Sequence, residues 1–226
     1  MAFGDGGIWR SLAPLSLKVW PTLSNPAWDQ AAVAERLLGD VLRVKIDPRR
    51  VSRKLSAKAV APIKNRFLIE GLGDLPSDRV EDLYTYKDMS DIAHYGDDLA
   101  RTRLYQWLKA SWLAGRPVDG RGRIFDSDAK IEDYCRYYLD LYRSMAENGY
   151  RYSGDDEICL GIAANGEIVH VRRGTHRMAA AHILALPSIS ARITHLDSAF
   201  AASAIDKLAG MNTRTALAQA IEKIVS

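Results

Sequence analysis

The residues whose types and spacing could do chemistry are Gly174, Thr175, His176 and Arg177, preceded by Arg172 and Arg173. They lie where an alternating strand, Ile168–Val171, gives way to an alanine-rich helix predicted over Thr175–Leu186. A strand that enters a helix directly through glycine aims the first unbonded helix N–H groups at one spot. The positive end of the helix dipole adds to them there. Gly174 lets the backbone turn and approach an anion closely. The Thr175 hydroxyl can cap the helix or touch a ligand, and guanidinium groups bind phosphate through paired hydrogen bonds. The pattern therefore points to an anion site, for phosphate or carboxylate, at Gly174, Thr175, His176, Arg177 and Arg173. The plainer reading makes His176 and Arg177 a helix cap.

Phosphoryl transfer at such a site needs a base or a metal-anchoring carboxylate. Glu147, Asp155, Asp156 and Glu157 are the nearest acids in sequence, and Glu147 is preferred, with His176 as the second catalytic candidate. No His, Cys, Asp and Glu set has metal-ligand spacing, and no G-x-S-x-G nucleophile elbow occurs. His170 and His182 are assigned to packing, and His94 and His195 receive no role. The aromatic group of Trp107, Trp112, Tyr134, Tyr137, Tyr138 and Tyr142 has helical spacing, which favours core packing over a stacking platform for bases.

The elements that must position these residues are legible on both sides. Ile131, Tyr134, Cys135, Tyr138, Leu141, Tyr142 and Met145 define a helix that Ser127 or Asp128 starts and Asn148-Gly149 stops. Ile158, Leu160 and Ile162 then alternate, and Asn165-Gly166 predicts a two-residue type I′ turn returning through Ile168–Val171. After the alanine-rich helix, Ile189, Ala191 and Ile193 alternate again. Upstream, a helix over Asp29–Leu38, a strand over Val41–Ile46 and a helix over Asp97–Leu113 are expected, the last with Leu104, Trp107, Leu108 and Trp112 inward. Helices over Ser198–Ala209 and Thr213–Val225 close the chain. Residues 1–40 read as a docked arm, because Trp9, Trp20 and Trp28 are poor candidates for full exposure to water.

Composition sets outer bounds. The chain has 226 residues, 47% hydrophobic and 26% charged, enough to bury a core and too apolar for wholesale disorder. A net charge of +3 does not by itself imply a polyanionic partner. The distribution is uneven: Arg43–Arg66 is strongly basic and Glu70–Asp98 strongly acidic, read as two solvated faces that partly neutralise each other, the alternative being a basic rim that draws in an anionic ligand or a membrane surface. The two cysteines, Cys135 and Cys159, define neither a disulfide framework nor a metal cluster and fit small core positions. The first residues make a poor signal peptide, and no apolar run reaches membrane-spanning length, so a cytoplasmic protein is expected.

Two stretches resemble the ParB/sulfiredoxin-like superfamily. Tyr142-Arg143-Ser144-Met145-Ala146-Glu147-Asn148-Gly149-Tyr150 is similar to the helix end of ParB-type domains. Val171-Arg172-Arg173-Gly174-Thr175-His176-Arg177-Met178-Ala179-Ala180-Ala181 is similar to their glycine–x–histidine–arginine box and its helix. Leu184-Ala185-Leu186 and Ile189–Ile193 fit the helix end and strand that follow. The resemblance runs from about Asp128 to Leu196 and weakly back to His94. It implies a nucleotide, ATP or CTP, with magnesium, whose phosphates meet Gly174, Thr175, His176 and Arg177. Three departures matter. Thr175 stands where sulfiredoxin has cysteine, Arg173 stands where many members carry an acid, and residues 197–226 are too few for the DNA-reading domain of partition proteins.

The expected fold is α/β (α+β): a small mixed sheet with flanking helices, of ParB/sulfiredoxin-like type, in residues 97–196. A helical, irregular extension over 1–96 and a helical tail over 197–226 that packs back on the domain complete it. The expected function is nucleotide or phosphate binding, with phosphotransfer to a small hydroxylated molecule or nucleotide hydrolysis as the reaction. The alternatives are a non-catalytic nucleotide or sugar-phosphate sensor and a nucleic-acid-associated ParB-like protein.

Overall fold

The computed structural model describes residues 30–226 except 121, 152–156 and 208–210. The expected arm with Trp9, Trp20 and Trp28, and the candidate acids Asp155 and Asp156, lie outside the described residues. In chain order the first half comprises α1 (Ala31–Leu38), β1 (Arg43–Ile46), β2 (Arg53–Leu55), α2 (Ala57–Val60), β3 (Leu68–Ile69), β4 (Ser77–Arg79), α3 (Tyr84–Tyr95) and α4 (Arg103–Leu113). A small hairpin, β5 (Asp119–Gly120) and β6 (Arg123–Ile124), leads to α5 (Asp128–Asn148). Then follow β7 (Ile158–Ile162), β8 (Ile168–Arg172), α6 (Thr175–Ile183), β9 (Ile189–Asp197), α7 (Ser198–Lys207) and α8 (Thr213–Val225).

Seven strands form one mixed sheet in the order β1-β9-β7-β8-β2-β4, with β3 pairing the far end of β9. β7 runs parallel to β9 and antiparallel to β8, and β8 runs parallel to β2. The fold is thus mixed α and β, as expected. Residues 30–96 supply four of its strands, so the sheet extends well upstream of residue 97. β2 and β4 are hard to see in sequence because three residues with little alternation carry no period. The tail folds onto the rest, burying Leu217 and Ile221 in the main core.

Alternation decides the faces. Ile158, Leu160 and Ile162 of β7, with Ala191 and Ile193 of β9, join the main core, which also holds Met89 and Ile92 of α3, Ile131 and Leu139 of α5 and Met178–Ala181 of α6. On the opposite face Val169 and Val171 meet Leu55, Ile63, Ile69 and Leu72 in a smaller cluster. Gly161 faces that cluster, where a side chain would come within 2.9 Å of Leu72 Cδ2. Polar ties brace the layers. The Asp197 carboxylate accepts from the Leu72 N–H at 2.9 Å and the Ala199 N–H at 2.8 Å, and Arg53 grips Glu167 at 2.6 and 2.7 Å.

Three local expectations change. The β7–β8 turn is not type I′: Gly166 alone of its residues has positive φ, 84°, and the Gly166 N–H donates to the Ala163 carbonyl, so the connection has three residues. Asn165 uses its side chain instead, accepting from the Glu167 N–H at 2.9 Å. The helix expected from Asp97 begins only at Arg103, where the Thr102 hydroxyl caps it. α6 stops at Ile183, because Ala185 adopts φ 48° and the Leu186 N–H bonds back to the Ala181 carbonyl.

Gly174 is the tightest backbone position near the site. Its φ is 62°, and an added Cβ would lie 2.5 Å from Ile158 Cγ1 and 3.4 Å from Ile158 Cα. Gly71 has a similar left-handed φ of 65° but meets only ordinary contact at 3.4 Å. Gly174→Ala is expected to cost about 3 kcal/mol, combining left-handed strain with overpacking, and Gly71→Ala about 1 kcal/mol. Urea unfolding of the two variants checks the difference; equal losses would mean that Ile158 yields freely.

Candidate functional site

The Arg173–Gly174 reversal lets β8 pass straight into α6. Arg173 is itself left-handed at φ 57°, an unusual state for a residue with a side chain. His170 secures it: Nε2 donates to the Arg173 carbonyl at 2.6 Å. His170 is fully buried, and desolvation holds its pKa down to about 4, so the ring is a neutral donor near pH 7. The first rung of α6 joins the Met178 N–H to the Gly174 carbonyl at 2.8 Å. The amides of Thr175, His176 and Arg177 therefore precede the helical ladder, as the sequence led us to expect.

A cavity of about 390 Å³ opens on one side of this turn, lined by Arg172, Arg173 and Arg192 with Glu35, Glu157, Cys159 and Thr194. The strands explain the grouping. Arg43, Arg192, Cys159 and Arg172 are cross-strand partners in one row through β1, β9, β7 and β8. Strict alternation would turn Arg172 to the other face with His170. A bulge intervenes: Leu160 pairs with His170 but Cys159 pairs with Arg172, so β8 carries one extra residue there. That extra residue swings Arg172 beside Cys159.

The electrostatics of this cavity are mixed. Arg192 ion-pairs with Glu35 and, at 3.2 Å, with Glu157, which is only 7% exposed. Arg43 approaches Glu157 at 3.8 Å. Even so, the Nε–H groups of both Arg172 and Arg192 are buried without a hydrogen-bond acceptor among the described residues, since the Glu157 contact is close but not aligned. Buried donors in native proteins are seldom left so. Burial pushes the Cys159 thiol upward, against the pull of Arg172 and Arg173. Cys159 is thus a neutral floor.

A second cavity, of about 820 Å³, lies on the other side of the turn. Its walls are Tyr84, Trp107, Phe125, Tyr134 and Tyr138, with Leu104, Leu108 and Val118, and its polar groups are Asp88, Arg103 and His176. The His176 ring stacks on Tyr138 with centroids 4.1 Å apart, and the Tyr134 and Tyr138 hydroxyls meet at 2.9 Å. Trp107 was expected inward but is 56% exposed and borders the cavity, because the α4 face that buries Leu104 and Leu108 leaves it at the rim. Tyr138 does pack in the core as expected, whereas Tyr137 of the same group is 53% exposed.

Asp88 is the main residue the sequence concealed. It is 6% exposed and sits on the inward face of α3 with Thr85, Met89 and Ile92. Two of those four positions are polar, so no apolar period marks the helix, and the buried acid itself was the available signal. Desolvation pushes its pKa up to about 6, opposed by Arg103, whose Nε lies 3.5 Å away.

The remaining candidates separate. Gly174, Thr175 and His176 form the turn, and Arg173 lines the first cavity. Arg177 is half-buried and lines neither cavity, and Glu147 is exposed at the end of α5, away from both. Glu157 is the acid brought to the site. His182 packs edge-on to Tyr86, His94 is exposed, and His195 is buried, with Nε2 3.2 Å from the Ile63 carbonyl. The basic stretch is partly paired, Arg49 with Asp47 inside it and Arg53 with Glu167 of the β7–β8 connection. Among the described residues, no group of three His, Cys, Asp or Glu is set to hold a metal, and no helix is long and apolar enough to cross a membrane.

Compared with known proteins, the chain matches no family model, no curated protein and no solved structure.

The raised pKa of Asp88 has a definite sign. Between about pH 4 and 6 the folded protein holds a proton that the unfolded chain releases, so Asp88 favours folding below pH 4 and costs stability as pH rises through 6. Asp88→Asn removes that dependence. The variant is expected to gain on the order of 2 kcal/mol relative to wild type between pH 4 and pH 7. Chemical denaturation at the two pH values measures it, and an unchanged difference would show that Asp88 titrates normally.

Proposed function

We propose that this chain binds a phosphorylated small molecule, a nucleoside phosphate being the expected class, with its phosphate at the opening turn of α6. The observation that carries the reading is the pair of buried Nε–H donors on Arg172 and Arg192, which flank Cys159 and lack aligned acceptors. An incoming phosphate oxygen supplies those acceptors, and charge-assisted hydrogen bonds of this type are the strong ones. Arg173, in the turn that leads into α6, lines the same cavity. The resemblance of the glycine–x–histidine–arginine box to the ParB/sulfiredoxin-like superfamily supports the same ligand class.

The residues fit a nucleotide's phosphates better than they fit a separate metal centre. Magnesium beside a nucleotide usually keeps several waters and takes one or two carboxylates plus phosphate oxygens. Glu35 and Glu157 are acids at the first cavity that could take that part, although Arg192 engages both and Arg43 approaches Glu157. Glu147 is exposed and lines neither cavity, so binding is proposed ahead of catalysis.

A thermal-shift series with pyrophosphate, ATP, CTP, GTP and a sugar phosphate tests this. A ligand at a hundred times its Kd stabilises by about 2.7 kcal/mol, or roughly 5–10 °C for a chain of this size. At least one phosphorylated compound is expected to give such a shift, and Arg172→Gln to abolish it while its unliganded melting point stays near wild type. No shift with any compound at millimolar concentration would end the proposal. Phosphate release that disappears in Arg172→Gln would add turnover to binding.

A further inference from the structure

The larger cavity has a chemistry that phosphate binding does not use. Five aromatic rings line it, two of them at an open rim: Tyr84 is 70% and Trp107 56% exposed. Together these two rings offer flat apolar surface at the mouth of the pocket, suited to covering the face of another ring. At the wall, the Asp88 carboxylate accepts no hydrogen bond from any described residue, although its side chain is nine-tenths buried. Its nearest partner, Arg103 Nε, stands at 3.5 Å and belongs to the same lining. An acceptor-only group and a donor-only group are thus set side by side on an aromatic slot.

We propose that this cavity holds a flat ring whose edge presents two adjacent N–H donors beside a carbonyl, the amino-lactam edge shared by guanine and the pterins. Asp88 accepts from the two N–H groups, Arg103 donates to the carbonyl, and the aromatic walls cover the ring faces. A ring with only one donor on that edge leaves a carboxylate oxygen unpaired, which is the strongest ground for rejection a buried site has. A simple organic cation satisfies Asp88 but places its charge against Arg103. His176 belongs to the first turn of α6 and borders this cavity. The inference rests on the preceding functional reading only in assigning ring and phosphate to one ligand.

Isothermal titration with phosphate-free compounds tests the ring site by itself: guanosine, a 6-substituted pterin, inosine, which lacks the amino group, and adenosine. Guanosine or the pterin is expected to bind at least tenfold more tightly than inosine and adenosine. Asp88→Asn is expected to erase that preference, and Trp107→Ala to weaken all rings. Because Asp88→Asn is expected to keep the fold, its loss of binding reads on recognition. Equal affinity for guanosine and adenosine, no binding of any ring, or a preference that survives Asp88→Asn would overturn the proposal. If those failures occur while pyrophosphate still stabilises the wild type, only the ring assignment falls. Guanosine binding to the wild type, with no stabilisation by pyrophosphate and no gain in affinity from guanosine to GTP, keeps the ring site and sinks the phosphate site.

Discussion

The bond from His170 to the Arg173 carbonyl fixes where everything else around the site can go. It holds a side-chain-bearing residue in the left-handed region, and Gly174 follows in the same conformation with Ile158 pressed against it. Two consecutive left-handed residues reverse the chain within the thickness of one strand. α6 therefore starts directly over β7, and its opening amides stay at the sheet end. Burying His170 is what makes the bond dependable, because a ring with its pKa near 4 does not change charge across the neutral range.

That reversal also divides space into two compartments of opposite character. Residues before Gly174 project with the strand bulge onto a row of arginines, and residues after it turn toward the aromatic faces of α4 and α5. A one-residue bulge accomplishes the division. Without it Arg172 would share the side of His170 and enter the main core, where an unpaired guanidinium could not be tolerated. The pairing of Glu157 with Arg192 then keeps the arginine row soluble within the protein when nothing is bound. Charge partners of this kind hold geometry more than they add stability.

Much of this could be read from the residue order, and the failures have physical causes. α5, β7, β8, α6 and β9 each carry a clean period and a proper stop, so their existence and order follow from local chemistry. The turn at Asn165-Gly166 misled because Asn-Gly serves two hairpin geometries, and the Asn165 side chain favoured the longer one. α3 escaped notice because its buried face mixes Thr85 and Asp88 with Met89 and Ile92, and polar residues on the inward side erase the very pattern that reveals a helix. The phosphate-binding candidates were legible as a cluster at one turn. The arginine row was not, because Arg43, Arg172 and Arg192 come from three distant strands and only sheet register unites them. Glu147 was favoured for its nearness in sequence, whereas the helix end carries it into solvent.

The borders of the sheet have a bearing on how the molecule behaves among its own copies. β4 is three residues long, Ser77, Asp78 and Arg79, and β1 turns Arg43 and Lys45 outward while Val44 and Ile46 face the interior. An intruding strand that tried to add itself at either margin would find a few backbone groups ringed by fixed charges. Short, charged margins are how natural sheets discourage uncontrolled stacking. Among the described residues, the two margins at which strand-by-strand growth would begin are therefore poor templates for it.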